Sequence, residues 1–320
     1  MLLHDDVIAE YLDFAAYAAG DSPCFEEWAR GVADDPEVLA WLGTLPTIKR
    51  QPNLVFAAAR WHGAPAPGPY AALRRVLLEQ EPDVRATVMA RATQTNEVGR
   101  LATLVPVLAL VEGPLALVEV GASAGLCLFP DRYDYAWPPL GGLRGSGGPV
   151  LTAQASGPLP LPVRHPEVAW RAGIDLNPLD VTAPDATARL ENLVWPEQDG
   201  RRERLRAAID VARQDPPLLV RGDLLDRLPD LLEQAAPHGT PVVLHSAVVA
   251  YLDEPDRRRF HALMTDLVTA GRCRWISNEG PRVLPDVTGD RAVPPGRFVT
   301  ALDGVPVALS HGHGHTVDWL

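Results

Sequence analysis

Residues 117–135 read LVEVGASAGLCLFPDRYDY, an apolar run that ends in a turn of very small side chains. In that turn, two glycines enclose three small residues, in the order Gly121, Ala122, Ser123, Ala124 and Gly125. Glycine permits the sharp bend and the close backbone approach that such a turn needs. In open parallel sheets, the turn after the first strand commonly holds the polar end of a ligand. The stretch therefore predicts either a ligand-binding turn at the end of a buried strand or a turn shaped by packing alone.

The glycine spacing narrows the class of ligand. It is G-x-x-x-G, whereas the dinucleotide fingerprint is G-x-G-x-x-G and the triphosphate-binding loop is G-x-x-x-x-G-K-[ST]. Neither of these two patterns occurs in the chain. We therefore expect a smaller, nucleoside-type ligand.

The composition is that of an ordinary globular chain with an acidic surface. The 320 residues are 47% hydrophobic and carry a net charge of −12, so a nucleic acid backbone is not an expected partner. No apolar stretch is long enough for a membrane span or a signal peptide. The three cysteines show no C-x-x-C spacing, so no zinc site is indicated. We expect a cytoplasmic protein with a small-molecule substrate and leave its oligomeric state open.

Two kinds of pattern divide the chain. From residue 5 to about 112, apolar residues recur at three- and four-residue spacing, which is the period of helices. We therefore assign residues 1–97 to a helical bundle that acts as a substrate lid. Residues 98–320 form the predicted cofactor-binding domain.

The second domain alternates apolar strand patterns with helical ones. Its predicted strands are LALVEV (115–120), VAWRAGIDL (168–176), LLVRGD (218–223), PVVLHSAV (241–248) and RCRWISNE (272–279). Such alternation favours a parallel sheet covered on both faces. Asp303-Gly304 between two apolar runs predicts an antiparallel hairpin near the C-terminus. Residues 136–167 are rich in glycine and proline and are interpreted as an insertion, either a surface excursion or a lid, in which VLTAQA is a candidate strand.

Acidic residues end the predicted strands where a nucleoside would lie. Asp175 ends the second strand, where a carboxylate can accept hydrogen bonds from both ribose hydroxyls. Asp223 follows the third strand, within reach of an adenine amino group. The alternative for each is an N-cap of the next helix. Their order along the chain favours the binding role.

Two segments resemble class I S-adenosylmethionine-dependent methyltransferases. The first motif of that family is similar to residues 119–125, Glu119-Val-Gly-Ala-Ser-Ala-Gly125, and the segment after its fourth strand is similar to residues 242–260, VVLHSAVVAYLDEPDRRRF. The resemblance implies an α/β fold with a Rossmann-like, mostly parallel sheet, and S-adenosylmethionine as cofactor. The cofactor-binding residues that we expect are Arg100, Glu119, Gly121, Ala122, Ser123, Gly125, Asp175, Leu176, Asp223, Leu224 and His245.

Further signatures run along nearly the whole chain. They are TQTNEVGR (93–100), VEVGASAGL (118–126), GIDLNPLDV (173–181), VWPEQ (194–198) and WISNE (275–279). By these signatures the chain is similar to a large family of uncharacterised bacterial proteins, a domain of unknown function regarded as methyltransferase-like in fold. The family usually carries asparagine where this chain has Cys127. This similarity implies an architecture but no substrate.

Two residues are candidates for the chemistry of a transfer reaction. His245 lies at the end of the fourth predicted strand, and histidine is the residue type most often used as a general base near neutral pH. Glu279, at the end of the fifth, is a second candidate for a base or a substrate anchor. The alternatives are a hydrogen bond from His245 to a loop carbonyl and a helix cap by Glu279. Tyr251, in the segment after the fourth strand, is expected to contact substrate.

The polar cluster TQTNEVGR precedes an apolar helix pattern. Within it, Asn96 and Arg100 are four residues apart and would share one helix face. Arg100 is then placed to pair with the carboxylate of the cofactor, while Asn96 and Glu97 face the substrate. The alternative is that Asn96 caps the helix. Arg132 and Tyr133, expected just after the first helix of the sheet domain, would complete the substrate wall.

The histidines of the HGHGH tail raise the question of a metal site. Alternate residues of a strand share one face, which would bring His311, His313 and His315 together. The intervening glycines weaken a strand, however, and no acidic residue lies close in sequence. No metal site is predicted.

The main hypothesis is a methyltransferase that acts on a small molecule. A non-catalytic binding module of the same fold is one alternative, and an enzyme of non-methylating chemistry, such as cyclisation or hydrolysis, is the other.

Overall fold

The computed structural model describes residues 5–94 and 96–320, so Thr95 of the polar cluster lies outside the described residues. The described residues form twelve α-helices: α1 (Asp5–Ala18), α2 (Pro23–Ala33), α3 (Pro36–Gly43), α4 (Pro52–Trp61), α5 (Tyr70–Glu79), α6 (Glu81–Ala90), α7 (Leu101–Leu108), α8 (Pro184–Leu193), α9 (Asp199–Gln214), α10 (Leu224–Ala235), α11 (Glu254–Thr269) and α12 (Pro285–Thr288). They also form twelve strands: β1 (Leu115–Val120), β2 (Asp134–Trp137), β3 (Gly141–Leu143), β4 (Val150–Thr152), β5 (Gln154–Ser156), β6 (Val168–Asp175), β7 (Leu218–Arg221), β8 (Thr240–Ser246), β9 (Arg274–Glu279), β10 (Arg297–Leu302), β11 (Val305–His311) and β12 (Thr316–Trp319).

The chain divides into two compact units. The helical unit comprises residues 1–95 together with 184–203, and the sheet unit comprises residues 96–183 and 204–320. The sequence pattern assigned 184–203 to the sheet domain, whereas in the structure this segment packs with the helices.

Hydrogen bonds explain why the segment 184–203 packs with the helical unit. The carboxylate of Glu197 accepts hydrogen bonds from the Ser22 hydroxyl and from the backbone N–H of Cys24, at the start of α2. The guanidinium of Arg60 on α4 donates to the carbonyls of Asn192 and Val194, both at 2.7 Å. Burial lowers the pKa of Arg60 to about 10. These polar bonds, supported by aromatic packing around Trp195, hold the segment against α2 and α4.

The sheet unit is built on a nine-stranded sheet in the order β5-β12-β11-β10-β9-β8-β1-β6-β7. The five strands from β9 to β7 pair in parallel. Numbered along the chain, these five have the order 3-2-1-4-5, so the direction of winding reverses between β1 and β8. Helix α10 packs on β1, β6 and β8, and α11 packs on β9. This is the α/β fold with a mostly parallel sheet that the sequence predicts.

The predicted hairpin is confirmed. β10 and β11 pair antiparallel, and Asp303 and Gly304 between them have φ of 53° and 79°. Two successive residues with positive φ are what a tight hairpin turn requires. β12 then adds antiparallel to β11, and β5 pairs in parallel with β12 at the edge of the sheet.

Three local predictions need correction. No α-helix follows the glycine turn, because residues 126–128 form only a single 3₁₀ turn before β2. The helix expected to include Asn96 begins later, since residues 98–100 form a 3₁₀ turn and α7 begins at Leu101. VLTAQA forms two short strands instead of one, and β4 pairs with β2 in a separate three-stranded sheet.

The loop between β11 and β12 packs tightly against the start of α7. Gly314 has φ of 80°, and a Cβ added there would lie 2.2 Å from the carbonyl oxygen of Gly99. The glycine is therefore required both for its backbone conformation and for the space that it leaves.

We predict that Gly314→Ala destabilises the protein more than Gly271→Ala does. Gly271 also has positive φ (66°), but a Cβ there would meet no atom within 4 Å. The difference in the free energy of unfolding should be about 1–3 kcal/mol, the usual cost of overpacking. Chemical denaturation of both variants measures it. Equal losses would mean that the loop does not pack on Gly99.

Candidate binding site at the switch point of the sheet

The carboxyl ends of β1 and β8 lie side by side where the winding of the sheet reverses. In open α/β sheets, ligands bind in the crevice at this point. The turn after β1 (residues 121–125) and the turn after β8 (residues 247–249) meet here, and we call them the first and second switch-point turns. Val248 of the second turn occupies the space that a side chain on Gly121 would need, at 2.5 Å from the added Cβ.

The first turn is held by neighbouring side chains in a strained backbone conformation. Ser123 has φ of 52°, a left-handed conformation that is rare for a residue with a Cβ. Its N–H donates to Oδ2 of Asp175 at 2.8 Å, and its hydroxyl accepts from Nδ2 of Asn96 at 2.7 Å. Oδ1 of Asn96 accepts the N–H of Ala124 at 3.2 Å. Strain of this kind persists where the surroundings over-determine it, often at functional sites.

The backbone N–H groups of this turn are already used within the protein. Those of Gly121 and Ala122 donate to the carbonyl of Ile174, and that of Gly125 donates to Ala122. Together with the bonds of Ser123 and Ala124, no N–H of residues 121–125 remains for a phosphate. No helix N-terminus follows to add a dipole. The geometry therefore agrees with a ligand that does not place an anion on this turn.

The second turn resembles the first, because it also contains a non-glycine residue with positive φ and donates backbone N–H groups to a carboxylate. Ala247 has φ of 56°, and its N–H donates to the carbonyl of Asn278 at 3.0 Å. Oε1 of Glu279, at the end of β9, accepts the N–H groups of Val248 and Val249 at 3.0 and 3.1 Å. Each strained turn is thus fixed by an acidic side chain from a neighbouring strand.

His245 is fully buried with both ring nitrogens engaged. The indole N–H of Trp275 donates to its Nε2 at 2.9 Å, so Nε2 is an acceptor and the ring proton lies on Nδ1. Nδ1 then donates to Oε1 of Glu279 at 2.8 Å. The structure favours a positioning role for His245 over the general base, because neither nitrogen is open to a substrate.

Glu279 and Glu119 each have a buried Oε2 with no hydrogen-bond partner within residues 5–94 and 96–320. Oε1 of Glu279 accepts three hydrogen bonds, whereas a hydrogen bond with Cys127 acts on the carboxyl of Glu119. Burial and the nearby carboxylate of Asp175 raise its pKa to about 8, although Arg100 and a hydrogen bond with Cys127 act in the opposite direction. Near neutral pH this side chain is therefore largely protonated. Burial also raises the pKa of the Cys127 thiol, which makes it a poor nucleophile.

Arg100 connects the switch point to the loop before β12. Its Nε donates to the carbonyl of Gly312 at 2.7 Å, and its Nη1 donates to the carbonyl of Ser246 at 2.9 Å. Arg100 is buried, and these bonds fix the end of β8. Asn96 lies before the helix, so the expected helix face shared with Arg100 is not formed; both nevertheless reach the carboxyl edge of the sheet.

Asp175 and Asp223, which the sequence predicts to bind a nucleoside, make different hydrogen bonds. Besides Ser123, Asp175 accepts the N–H of Asn177 on Oδ1 at 2.7 Å, and each carboxylate oxygen keeps one further lone pair. Asp223 is exposed and caps α10 through the N–H of Leu225 at 2.8 Å. Asp223 therefore has the N-cap role that was its alternative in the sequence analysis. Asp175 is the stronger candidate for binding a nucleoside.

Two exposed apolar side chains follow the parallel strands. Leu176 is 64% exposed directly after Asp175, and Tyr251 is 70% exposed in the 3₁₀ turn after β8. Leu224, by contrast, packs partly into the core of the sheet unit.

Three predicted substrate contacts make other bonds within the protein. Tyr133 is fully buried, and its hydroxyl donates to the carbonyl of Leu126. Arg132 is exposed and pairs with Asp131 at 3.3 Å. Glu97 is buried, and its Oε1 accepts the N–H of Gly99, so it caps the 3₁₀ turn before α7.

The three histidines of the tail lie close together at the end of β11 and in the loop that follows it. β11 runs parallel to β9, so its end brings the loop to the same edge of the sheet as the switch point. The ring centroids of His311, His313 and His315 lie 4.9–6.2 Å apart. In the described part of the chain, no three His, Cys, Asp or Glu side chains are arranged to hold a metal ion.

Sequence reasoning missed the partners that define these roles. Trp275, Asn278 and Ser246 are the main omissions, and WISNE was the signal that contained two of them. Their importance arises from contacts between strands, which a linear pattern does not show.

One protein family matches nearly the whole length of the chain. The model of a family described as an uncharacterised protein conserved in bacteria, DUF2332, matches residues 9–319. The chain belongs to this family. No curated protein and no solved structure matches it.

Among the helices of residues 5–94 and 96–320, none is both long and apolar enough to cross a bilayer.

We predict that the wild-type protein loses stability relative to Glu119→Gln as the pH rises from about 5 to 8. The folded carboxyl holds its proton up to a pKa of about 8, whereas the unfolded one releases it near its ordinary pKa of 4.5. Unfolding thus releases a proton in this range, and the free energy of unfolding falls by up to about 1.4 kcal/mol per pH unit. Denaturant titrations at several pH values measure the difference. Parallel curves for the two proteins would contradict the raised pKa.

Proposed function

We propose that the chain is a cytoplasmic enzyme of the class I methyltransferase type, which transfers the methyl group of S-adenosylmethionine to a small-molecule acceptor. One observation carries the proposal: the carboxyl groups of Glu119 and Asp175 flank a strained glycine turn at the switch point of a parallel sheet. The motif resemblance of residues 119–125 supports the same ligand.

The residues present fit a nucleoside with an amino-acid arm. The free lone pairs of Asp175 suit the two ribose hydroxyls, and the exposed face of Leu176 suits an adenine ring. The orphaned Oε2 of Glu119 suits a donor group at the other end of the ligand. The absence of available N–H groups in the turn agrees with a ligand that has no phosphate.

When bound, S-adenosylmethionine supplies a methyl group on a sulfonium, which is reactive towards an aligned nucleophile. The chain would contribute mainly orientation and exclusion of water. The switch-point turns are well suited to this, because Asp175 and Glu279 fix their backbones. We assign no general base, since both ring nitrogens of His245 are engaged and Glu279 holds His245 and the second switch-point turn through its Oε1.

The second candidate is a binding module of the same fold without turnover. The buried, fully bonded state of His245 favours it, because the best candidate base is used for positioning. An enzyme of non-methylating chemistry would differ from both in the mass of its product.

Calorimetry with S-adenosylmethionine and S-adenosylhomocysteine tests the proposal. We expect both to bind to the folded protein with one site per chain. Incubation of a metabolite extract with methyl-labelled cofactor then distinguishes an enzyme, which yields a labelled small molecule, from a binding module, which yields none. Failure of both ligands to bind at millimolar concentration would refute the cofactor assignment.

We predict that Asp175→Ala weakens the affinity for S-adenosylhomocysteine at least tenfold, since hydrogen bonds to a charged group contribute about 1.5–3 kcal/mol. Asp175→Asn should lose less, because its amide keeps one acceptor oxygen. Asp223→Ala is the matched control and should leave the affinity nearly unchanged, because Asp223 caps α10. Circular dichroism checks folding. Equal affinities of the Asp175→Ala variant and the wild type would show that Asp175 only holds the turn.

A further inference from the structure

Glu119 combines a position at the binding edge with an unsatisfied buried atom. It is the penultimate residue of β1, pairs with Gly173 of β6 and Leu244 of β8, and directly precedes the first switch-point turn. Its Oε2 has no partner within the part of the chain that the structure describes. A buried polar atom left unpaired is costly, so a partner that arrives with the ligand would be favoured.

The charges around Glu119 decide what that partner is. Three neighbouring groups shift the pKa of its carboxyl: Asp175 on β6 raises it, whereas Arg100 before α7 and the Cys127 thiol after the first turn lower it. The hydroxyl of Tyr133 lies in the same electrostatic environment, but it donates to the carbonyl of Leu126. Arg100 already donates to two backbone carbonyls. Arg100 is thus the cation that acts on the carboxyl of Glu119, and Asp175 adds a second carboxylate beside it, a balance that favours an added positive charge.

We propose that ligand binding at the switch point releases one proton from Glu119, because a cationic group of the ligand takes the place of that proton beside the buried carboxyl. The inference rests on the proposed function, in which the α-ammonium group of the amino-acid arm supplies the cation. In the empty site the carboxyl is neutral, which avoids a buried, unpaired charge next to Asp175. In the occupied site it is an ionised partner of the ammonium.

Affinity should then depend on pH in a defined way. With a pKa of about 8 in the empty site, the affinity for S-adenosylhomocysteine should rise about 50-fold from pH 6 to pH 8, by one-proton linkage. Adenosine lacks the ammonium group and should show a nearly flat profile over the same range. Glu119→Gln should also flatten the profile for S-adenosylhomocysteine, whereas Glu233→Gln, at an exposed site on α10, should not.

Calorimetry in phosphate and in Tris buffer at pH 7 counts the protons directly. We expect about 0.9 proton to be released per S-adenosylhomocysteine bound and none per adenosine. A second measurement needs no ligand: carbon NMR of ¹³C-glutamate-labelled protein, with Glu119→Gln to assign the signal, should show one carboxyl that titrates near pH 8.

The outcomes separate the two proposals. If S-adenosylhomocysteine binds with the same heat in both buffers, or if the Glu119 signal titrates below pH 6, the proton exchange is refuted and the proposed function stands. If neither S-adenosylhomocysteine nor S-adenosylmethionine binds, the proposed function fails, and the exchange fails with it. If Glu119→Gln does not fold, the comparison of S-adenosylhomocysteine with adenosine on the wild-type protein still decides.

Discussion

The hydrogen bond from the N–H of Ser123 to the carboxylate of Asp175 is the interaction on which the switch point depends. It ties the turn after β1 to the end of β6 and holds Ser123 in a left-handed conformation that a serine would otherwise leave. Glu279 does the same for the turn after β8. The two turns are then interlocked, because Val248 occupies the space beside Gly121. Both turns are therefore fixed by bonds within the protein.

The same bonds limit the kind of ligand that the proposed site can hold. The turn uses its N–H groups internally, so it does not offer the anion cradle of a phosphate-binding loop. What remains at the carboxyl ends of these strands is acceptor capacity: free lone pairs on Asp175 and the unpartnered Oε2 atoms of Glu119 and Glu279. A site rich in acceptors selects ligands rich in donors, such as sugar hydroxyls and ammonium groups.

Local signals were enough to predict β1, its glycine turn, the parallel strands and the Asp303-Gly304 hairpin, since each is encoded in a few consecutive residues. The position of residues 184–203 was not predictable, because a helical pattern does not say which unit it packs against. The role of His245 depends on Trp275 and Glu279, which are 30 and 34 residues away in sequence. The sequence singled out Asp175 and Asn96 but not how their side chains are bonded, and Asn96 bonds to the first switch-point turn without the expected helix.

The position of β12 in the sheet bears on how the protein is made. β12 lies between β11 and β5, and β5 reaches the main sheet only by pairing with it, as Ser156 with Asp318. During synthesis β5 therefore leaves the ribosome long before its partner, and the nascent chain must carry an unpaired strand until residue 319 has emerged. The loop whose Gly312 carbonyl accepts a hydrogen bond from Arg100 is likewise translated after all five parallel strands. A stop codon shortly before residue 312 would thus leave the parallel strands intact. It would still remove β12, the partner of β5, and the carbonyl of Gly312 that Arg100 binds.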